Sequence, residues 1–402
     1  MRILQLTSEF APATGGIGTY AREIASAATA LGADVTVVAP DYGRDNRAAD
    51  RSLPYEVRRF RAGLHSMKDL PSKILLARSL VRAERYDVVH AADWPFFIPV
   101  ALSRNLAPGR ILMTVHGTEI NETQTPLKRL AIRTTGVFGR RTEIAANSGY
   151  TSELFRERFA VDEHRIRPIW LGVSQFWFGP RKGRAETRLA HGIAADRIVM
   201  VTVARITRRK GHSVTLAALS ALPRELRKRL TWLIIGPDGE ADYVKPLKGL
   251  VASTDCDIRF LGAIPDQDIR DIYGASDFFC LTGVPDSSGR VEGFGLVYLE
   301  AAACGLPSVA TATGGVPEAV ISDETGILVP PSIEDIARAI VELADDTGTR
   351  SVLAAGASAH ARALSWERCA AMTYGLPRSG ETPFEAVPGR VADAIESSAS
   401  PA

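Results

Sequence analysis

The chain has 402 residues, 46% of them hydrophobic, and carries 48 Lys and Arg against 46 Asp and Glu, a formal net charge of +2. That length supports two separate cores and the composition is that of a globular protein. So small a net charge argues against a global polyanion partner such as nucleic acid. Four cysteines, Cys256, Cys280, Cys304 and Cys369, are scattered without a C-x-x-C pair. They read as small buried residues in a reducing compartment, not as a disulfide framework or zinc cluster. The first residues, MRILQLTSEF, read as a strand and lack a basic segment followed by a long apolar one. No apolar run approaches the roughly 18 residues that cross a bilayer, so a cytoplasmic protein is expected.

Strands and helices alternate from the start. Short apolar runs of strand length lie at Ile3 to Thr7, Asp34 to Ala39, Asp87 to Ala91, Ile111 to His116 and Glu143 to Asn147, with helical patterns between them, notably Ile17 to Leu31 and Lys73 to Glu84. This implies parallel strands with helical crossovers, a doubly wound α/β unit. Residues 167 to 180, RPIWLGVSQFWFGP, break the pattern and read as a connector. The alternation then restarts at Ile198 to Val203, Trp232 to Gly236, Ile258 to Gly262, Phe278 to Leu281 and Ser308 to Thr311. The expected organisation is a first Rossmann-like domain over 1–174, a second over 175–364, a last helix over 365–376, and a disordered tail over 377–402, rich in Pro, Gly, Ser and Ala.

Several strings bear chemistry. Thr14-Gly15-Gly16-Ile17-Gly18 follows the first strand and opens a helix. Without a following Lys-Ser/Thr it is no Walker A loop, but bare glycines let backbone N–H groups approach an anion; a plain tight turn is the alternative. His90 and Asp93 follow a later strand, and His116 ends another, at the sheet edge where ligands bind in this architecture. Asn147-Ser148 reads as a helix cap. In Ala204-Arg205-Ile206-Thr207-Arg208-Arg209-Lys210-Gly211, Arg205 and Lys210 lie five apart across a turn into a helix. A solvated basic helix start is the plain reading; a fork and a point charge there can also hold a diphosphate, since cations at a helix start otherwise oppose the dipole. Arg208 and Arg209 are expected to be exposed. Asp266, in Gly262-Ala263-Ile264-Pro265-Asp266, reads as an N-cap or as an acceptor facing a base edge. Asp255-Cys256-Asp257 is formally a D-x-D but precedes an ordinary strand, and the histidines show no metal-ligand spacing.

The most informative stretch is Arg290 to Ala319, RVEGFGLVYLEAAACGLPSVATATGGVPEA. Glu292 and Glu300 stand eight apart. Gly293 and Gly295 open an apolar helix whose first N–H groups lack partners, and Gly305 and Pro307 stop it. A helix entrance with bare glycines favours phosphate, and a carboxylate beside it can accept from sugar hydroxyls. This E-x7-E string and the following Gly-Gly-x-Pro-Glu resemble the signature of family 4 retaining glycosyltransferases of GT-B fold. The resemblance runs over roughly residues 1 to 374.

The resemblance implies two Rossmann-like domains facing a cleft, and transfer of a hexose from a UDP- or GDP-sugar to an acceptor hydroxyl without a metal or other cofactor. By it, His116, Arg205, Lys210 and Glu292 are the catalytic set. Gly15, Gly16, Ile264, Gly293, Phe294, Gly295, Leu296 and Glu300 join Arg205, Lys210 and Glu292 in binding the donor, and Asp93 meets the acceptor. Glu292 orients the donor sugar, Glu300 holds the ribose, and the last helix crosses back to the first domain. The loop Gly283 to Gly289 departs from any pattern we can read. Two rival readings are a synthase-type relative elongating a polysaccharide and a GT-B subunit that binds a nucleotide sugar or partner without transfer.

The first domain also carries a basic patch. Arg58, Arg59, Arg61, Lys68, Lys73, Arg78, Arg82 and Arg85 face only Asp69 and Glu84, and Lys128, Arg129, Arg133, Arg140 and Arg141 add to them, with Leu75, Leu76, Leu130 and Phe138 interleaved. It reads equally as a solvated face and as a peripheral membrane surface meeting a lipid-linked acceptor.

Overall fold

The computed structural model describes residues 1–377 apart from 14, 44, 62–68, 118–119, 121–124, 160, 252–253 and 287–288. The expected tail, after its first residue Pro377, lies outside the described residues.

Two all-parallel sheets form. The first orders its strands β3-β2-β1-β4-β5-β6-β7: Arg2–Leu6 (β1), Asp34–Pro40 (β2), Glu56–Phe60 (β3), Val88–Ala91 (β4), Arg110–Val115 (β5), Thr142–Ala146 (β6) and Ile166–Pro168 (β7). The second runs β10-β9-β8-β11-β12-β13: Ile198–Val203 (β8), Leu230–Ile235 (β9), Asp257–Gly262 (β10), Phe278–Leu281 (β11), Ser308–Thr311 (β12) and Gly326–Val329 (β13). Central strands are buried on both faces, which is why they read as unbroken apolar runs. The strand order of each sheet reverses beside its first strand, at β1/β4 and β8/β11, and ligands bind at such switch points.

Every strand expected from the sequence is present; β3, β7 and β13 are additional. β3 is a half-buried edge strand whose charges are spent on neighbours: Arg58 pairs with Glu56 and Glu84, and Arg59 with Asp50. β7 takes the first residues of the expected connector.

The helix Trp366–Tyr374 returns from the second sheet to pack on helix Gly16–Ala30 of the first. A buried polar chain fastens it there. Tyr374 Oη donates to Gln5 Oε1 (3.2 Å) and meets His90 Nδ1 (2.9 Å); His90 Nε2 meets Thr114 Oγ1 (2.8 Å), which also bonds Tyr20 Oη (2.8 Å). Burial pushes the His90 imidazole down to about 3, so it stays neutral. One continuous core runs through both halves, taking in Ile24, Tyr20 and Tyr374 on one side and Phe294, Leu299 and Trp177 on the other.

Candidate active site

The basic turn after β8 is fixed by one glycine. Gly211 has φ +72°, and a Cβ there would lie 1.7 Å from the Thr282 carbonyl oxygen. That backbone approach is open only to glycine, and it presses the turn against the end of β11, where Thr282 Oγ1 also donates to Gly211 O (3.3 Å). The cations then diverge. Arg208 turns outward to Asp242 and Glu240. Lys210 Nζ ion-pairs with Glu292 Oε2. Arg209 turns inward, contrary to expectation: its Nη1 donates to Val291 O (3.1 Å) and lies 3.5 Å from Glu292 Oε2, and its side chain is only 17% exposed. The carbonyl at 291 draws the guanidinium into the cleft, a tertiary contact the R-R-K run does not disclose. Arg205 is exposed and makes no hydrogen bond or ion pair among the described residues.

Burial pushes the Glu292 carboxyl up, but Lys210 and Arg209, with Arg205 behind them, outweigh it and hold it below the usual carboxylate range. It is therefore an anion clamped by cations. Gly293 follows, and a Cβ there would lie 2.1 Å from the His116 carbonyl oxygen. The two halves thus meet backbone to backbone. Phe294 is buried in the shared core, Gly295 (φ +98°) turns the chain, and Leu296 begins helix Leu296–Ala303.

Glu300, further along that helix, has the opposite electrostatics. Burial, reinforced by Asp266 and by Glu23 from the first half and opposed by Arg22, pushes its carboxyl up to about 8. Ile264 is half-buried against the shared core. Asp266 is not a cap: Pro265 holds the cap position of helix Asp266–Ala275, and Asp266 lies in its first turn.

From the first half, half-buried His116 donates from Nε2 to Ala92 O (2.8 Å) and stands edge-on to Tyr20. The Asn147 amide donates to His116 O (3.1 Å) rather than capping, whereas Ser148 Oγ does cap, accepting from Thr151 N (3.0 Å). Gly16, at the start of helix Gly16–Ala30, faces open space. Gly15 is covered: a Cβ on it would lie 1.8 Å from the Glu9 carboxylate, a neighbour the sequence reading did not single out. Asp93 is buried, and its Oδ2 accepts from Ser8 N (2.7 Å), Ser8 Oγ (2.7 Å) and Thr7 Oγ1 (3.2 Å), which ties β4 to the turn after β1. In the D-x-D string Asp255 pairs with Arg227, and Asp257 with Arg259 and Arg197. Thr118 and Glu119, beside His116, lie outside the described residues.

Two family models match: Glycosyltransferase Family 4 over residues 14–175 and Glycosyl transferases group 1 over 183–360. A D-inositol 3-phosphate glycosyltransferase of Actinosynnema mirum is 30% identical, over 88% of this chain and 89% of its own. A GDP-mannose-dependent monoacylated alpha-(1-6)-phosphatidylinositol monomannoside mannosyltransferase of Corynebacterium glutamicum is 28% identical, over 91% and 95%. Among solved structures, Anabaena HepE in complex with UDP and glucose superposes with a TM-score of 0.74 at 21% identity, covering 92% of this chain and 98% of that one. Sucrose-phosphate synthase from Thermosynechococcus elongatus gives 0.76 at 23%, covering 94% and 98%. The chain belongs to the family 4 glycosyltransferases of GT-B fold, and it is an enzyme of that class.

Proposed function

We propose that the protein is a retaining, metal-independent glycosyltransferase that moves a hexose from a UDP- or GDP-sugar to a hydroxyl of an inositol phosphate, free or lipid-linked. The observation that carries the donor half is the cluster of Arg205, Arg209, Lys210 and Glu292: three cations around one clamped carboxylate, with the Arg205 fork uncommitted. A diphosphate entering there meets Arg205 and Lys210, while Glu292 accepts from the sugar hydroxyls and Glu300 from the ribose. The bond between the anomeric carbon and the phosphate oxygen breaks, and charge grows on the leaving diphosphate. Arg205, Lys210 and the Gly16 amide oppose that charge, in place of a metal. The acceptor oxygen bonds to the same face of the anomeric carbon and its proton passes to the departing diphosphate. His116 steadies the sugar from the other half. No role for Asp93 beyond the turn it holds is needed.

The acceptor half rests on the relatives, whose names give D-inositol 3-phosphate in one and a phosphatidylinositol monomannoside in the other, two compounds that share an inositol phosphate unit. Leu75 and Arg82 are exposed on helix Leu70–Ala83, with Arg85 just past it, and Arg129, Leu130 and Arg133 on helix Pro126–Thr135, which supports a membrane-facing surface for a lipid-linked form. That surface is smaller than the sequence suggested. Lys73 is buried (2% exposed), Arg58 and Arg59 are ion-paired, and Lys68 lies outside the described residues. Among the described residues no helix is long and apolar enough to cross a membrane.

The test is transfer from UDP- and GDP-glucose, N-acetylglucosamine and mannose to inositol phosphate and to phosphatidylinositol vesicles, with EDTA and with magnesium. Transfer from one donor, with an axial product from an axial donor and no need for magnesium, is expected. Normal transfer by Glu292→Gln would overturn the donor-site assignment.

A further inference from the structure

We propose that Glu318 is a positioning residue for transfer, its carboxylate latching the two halves in the closed arrangement of the donor site; this rests on the transferase reading above. Glu318 lies in the short helix Val316–Ala319, just past Gly314-Gly315. Its Oε2 accepts from Gly149 N (2.7 Å) and from the Trp170 indole, and its Oε1 from Tyr150 N (3.0 Å). All three donors belong to the first half and the acceptor to the second.

The two amides open helix Gly149–Phe159. First-turn N–H groups have no intrahelical acceptor, and the dipole there favours a negative charge. Such a helix start is ordinarily capped by its own neighbouring residue, and Ser148 already serves Thr151. The charge, however, comes from 169 residues away. One carboxylate therefore completes a helix it does not belong to, and it can do so only while the halves are together.

The latch is short-wired to the donor site on both sides. Gly315 N donates to Glu292 O (2.9 Å), and Glu318 N to Gly315 O (3.2 Å). Across the cleft, Asn147, two residues before Gly149, donates its amide to His116 O (3.1 Å). Glu318 thus stands two hydrogen bonds from the backbone of Glu292, through Gly315, and Asn147, just before the helix that donates to the carboxylate, stands one from that of His116. Releasing the carboxylate frees three donors at once, so the latch is made or lost as a unit. What the latch adds is a bias toward the closed state before both substrates are bound.

The test uses the full chain with Glu318→Ala, Glu318→Gln and Trp170→Phe, read by small-angle scattering, binding of UDP and GDP, and steady-state transfer. Glu318→Ala is expected to enlarge the radius of gyration of the free protein. Nucleotide binding, carried mainly by Arg205, Lys210 and Glu300 of the second half, should stay within about twofold, while kcat falls about tenfold or more, the scale of losing charge-assisted hydrogen bonds from one state. Trp170→Phe keeps the ring and removes one donor, so it should shift both readouts the same way by less. It carries the test if Glu318→Ala does not fold. A cap that merely stabilised helix Gly149–Phe159 would lower Tm while leaving scattering and kcat unchanged, and that result overturns the proposal. Widened scattering in Glu318→Ala, with no transfer by the unaltered protein from any nucleotide sugar, would sink the transferase reading and leave the latch standing.

Discussion

Glu292 precedes helix Leu296–Ala303 and Glu300 lies within it, and their environments push the two carboxyls in opposite directions. Lys210 and Arg209 hold the first ionised; burial with Asp266 and Glu23 holds the second up at about 8, against an ordinary 4.5. Hydrogen bonds from ribose hydroxyls favour the ionised carboxyl, so binding a nucleotide near pH 7 should expel a proton from Glu300. Calorimetry of UDP and GDP in two buffers of different ionisation heat should show that release, with affinity rising from about pH 6 to 8; Glu300→Gln should show neither. The same shift has a sign for stability. A carboxyl whose folded pKa is raised favours the fold most below pH 4.5, and that advantage is lost as pH rises through about 8. The Tm difference, Glu300→Gln minus the unaltered chain, should therefore grow from pH 5 to 9. Lys210→Ala removes the diphosphate's point charge and should cost about 3 kcal/mol in the barrier, a hundredfold in kcat. Arg209→Ala should hurt transfer as well, while Arg208→Ala, in an exposed ion pair, should be nearly silent. Arg205, Lys210 and the two glutamates were legible as candidates because their spacing is specific, and the structure brings Lys210 and Glu292 together. Arg209 was not, because its inward turn depends on the carbonyl at 291, which sequence places 82 residues away.

Strands in the middle of each sheet were readable for a physical reason: burial on both faces leaves an apolar run such as Ile198–Val203. Edge strands have no such requirement. β3 is EVRRF with its charges paired sideways, and β7 is three residues ending in proline, so neither carries a periodic signal. Asp266 failed as a cap because the chain enters that helix one residue earlier, at Pro265, a boundary composition does not fix. Elements here also carry the site through close backbone contact. Gly211→Ala would set a methyl against the Thr282 carbonyl, and since φ is +72° the turn cannot relax around it. We expect the basic turn to shift and UDP and GDP binding to weaken at least tenfold by calorimetry, with a loss of about 1–3 kcal/mol in stability by urea denaturation.

Across the molecule, the proposed chemistry is divided between halves: on that reading the second would supply the diphosphate cations and both glutamates, and the first His116, Gly16 and the basic, leucine-bearing surface. If that surface meets lipid, binding to vesicles containing anionic lipid should weaken steeply with salt. Leu75→Asp with Leu130→Asp should reduce vesicle binding while leaving transfer to soluble inositol phosphate within about twofold, since exposed changes away from the site are nearly neutral. The buried chain from Gln5 through Tyr374 and His90 to Thr114 has a consequence for synthesis. The first sheet emerges from the ribosome early, but the hydroxyl that serves Gln5 arrives 369 residues after it. For a time on the order of tens of seconds at ordinary elongation rates, the nascent first half holds an imidazole and an amide inside its core without their partner. That polar chain closes only when the return helix is made, so the last helix completes the core of the first half.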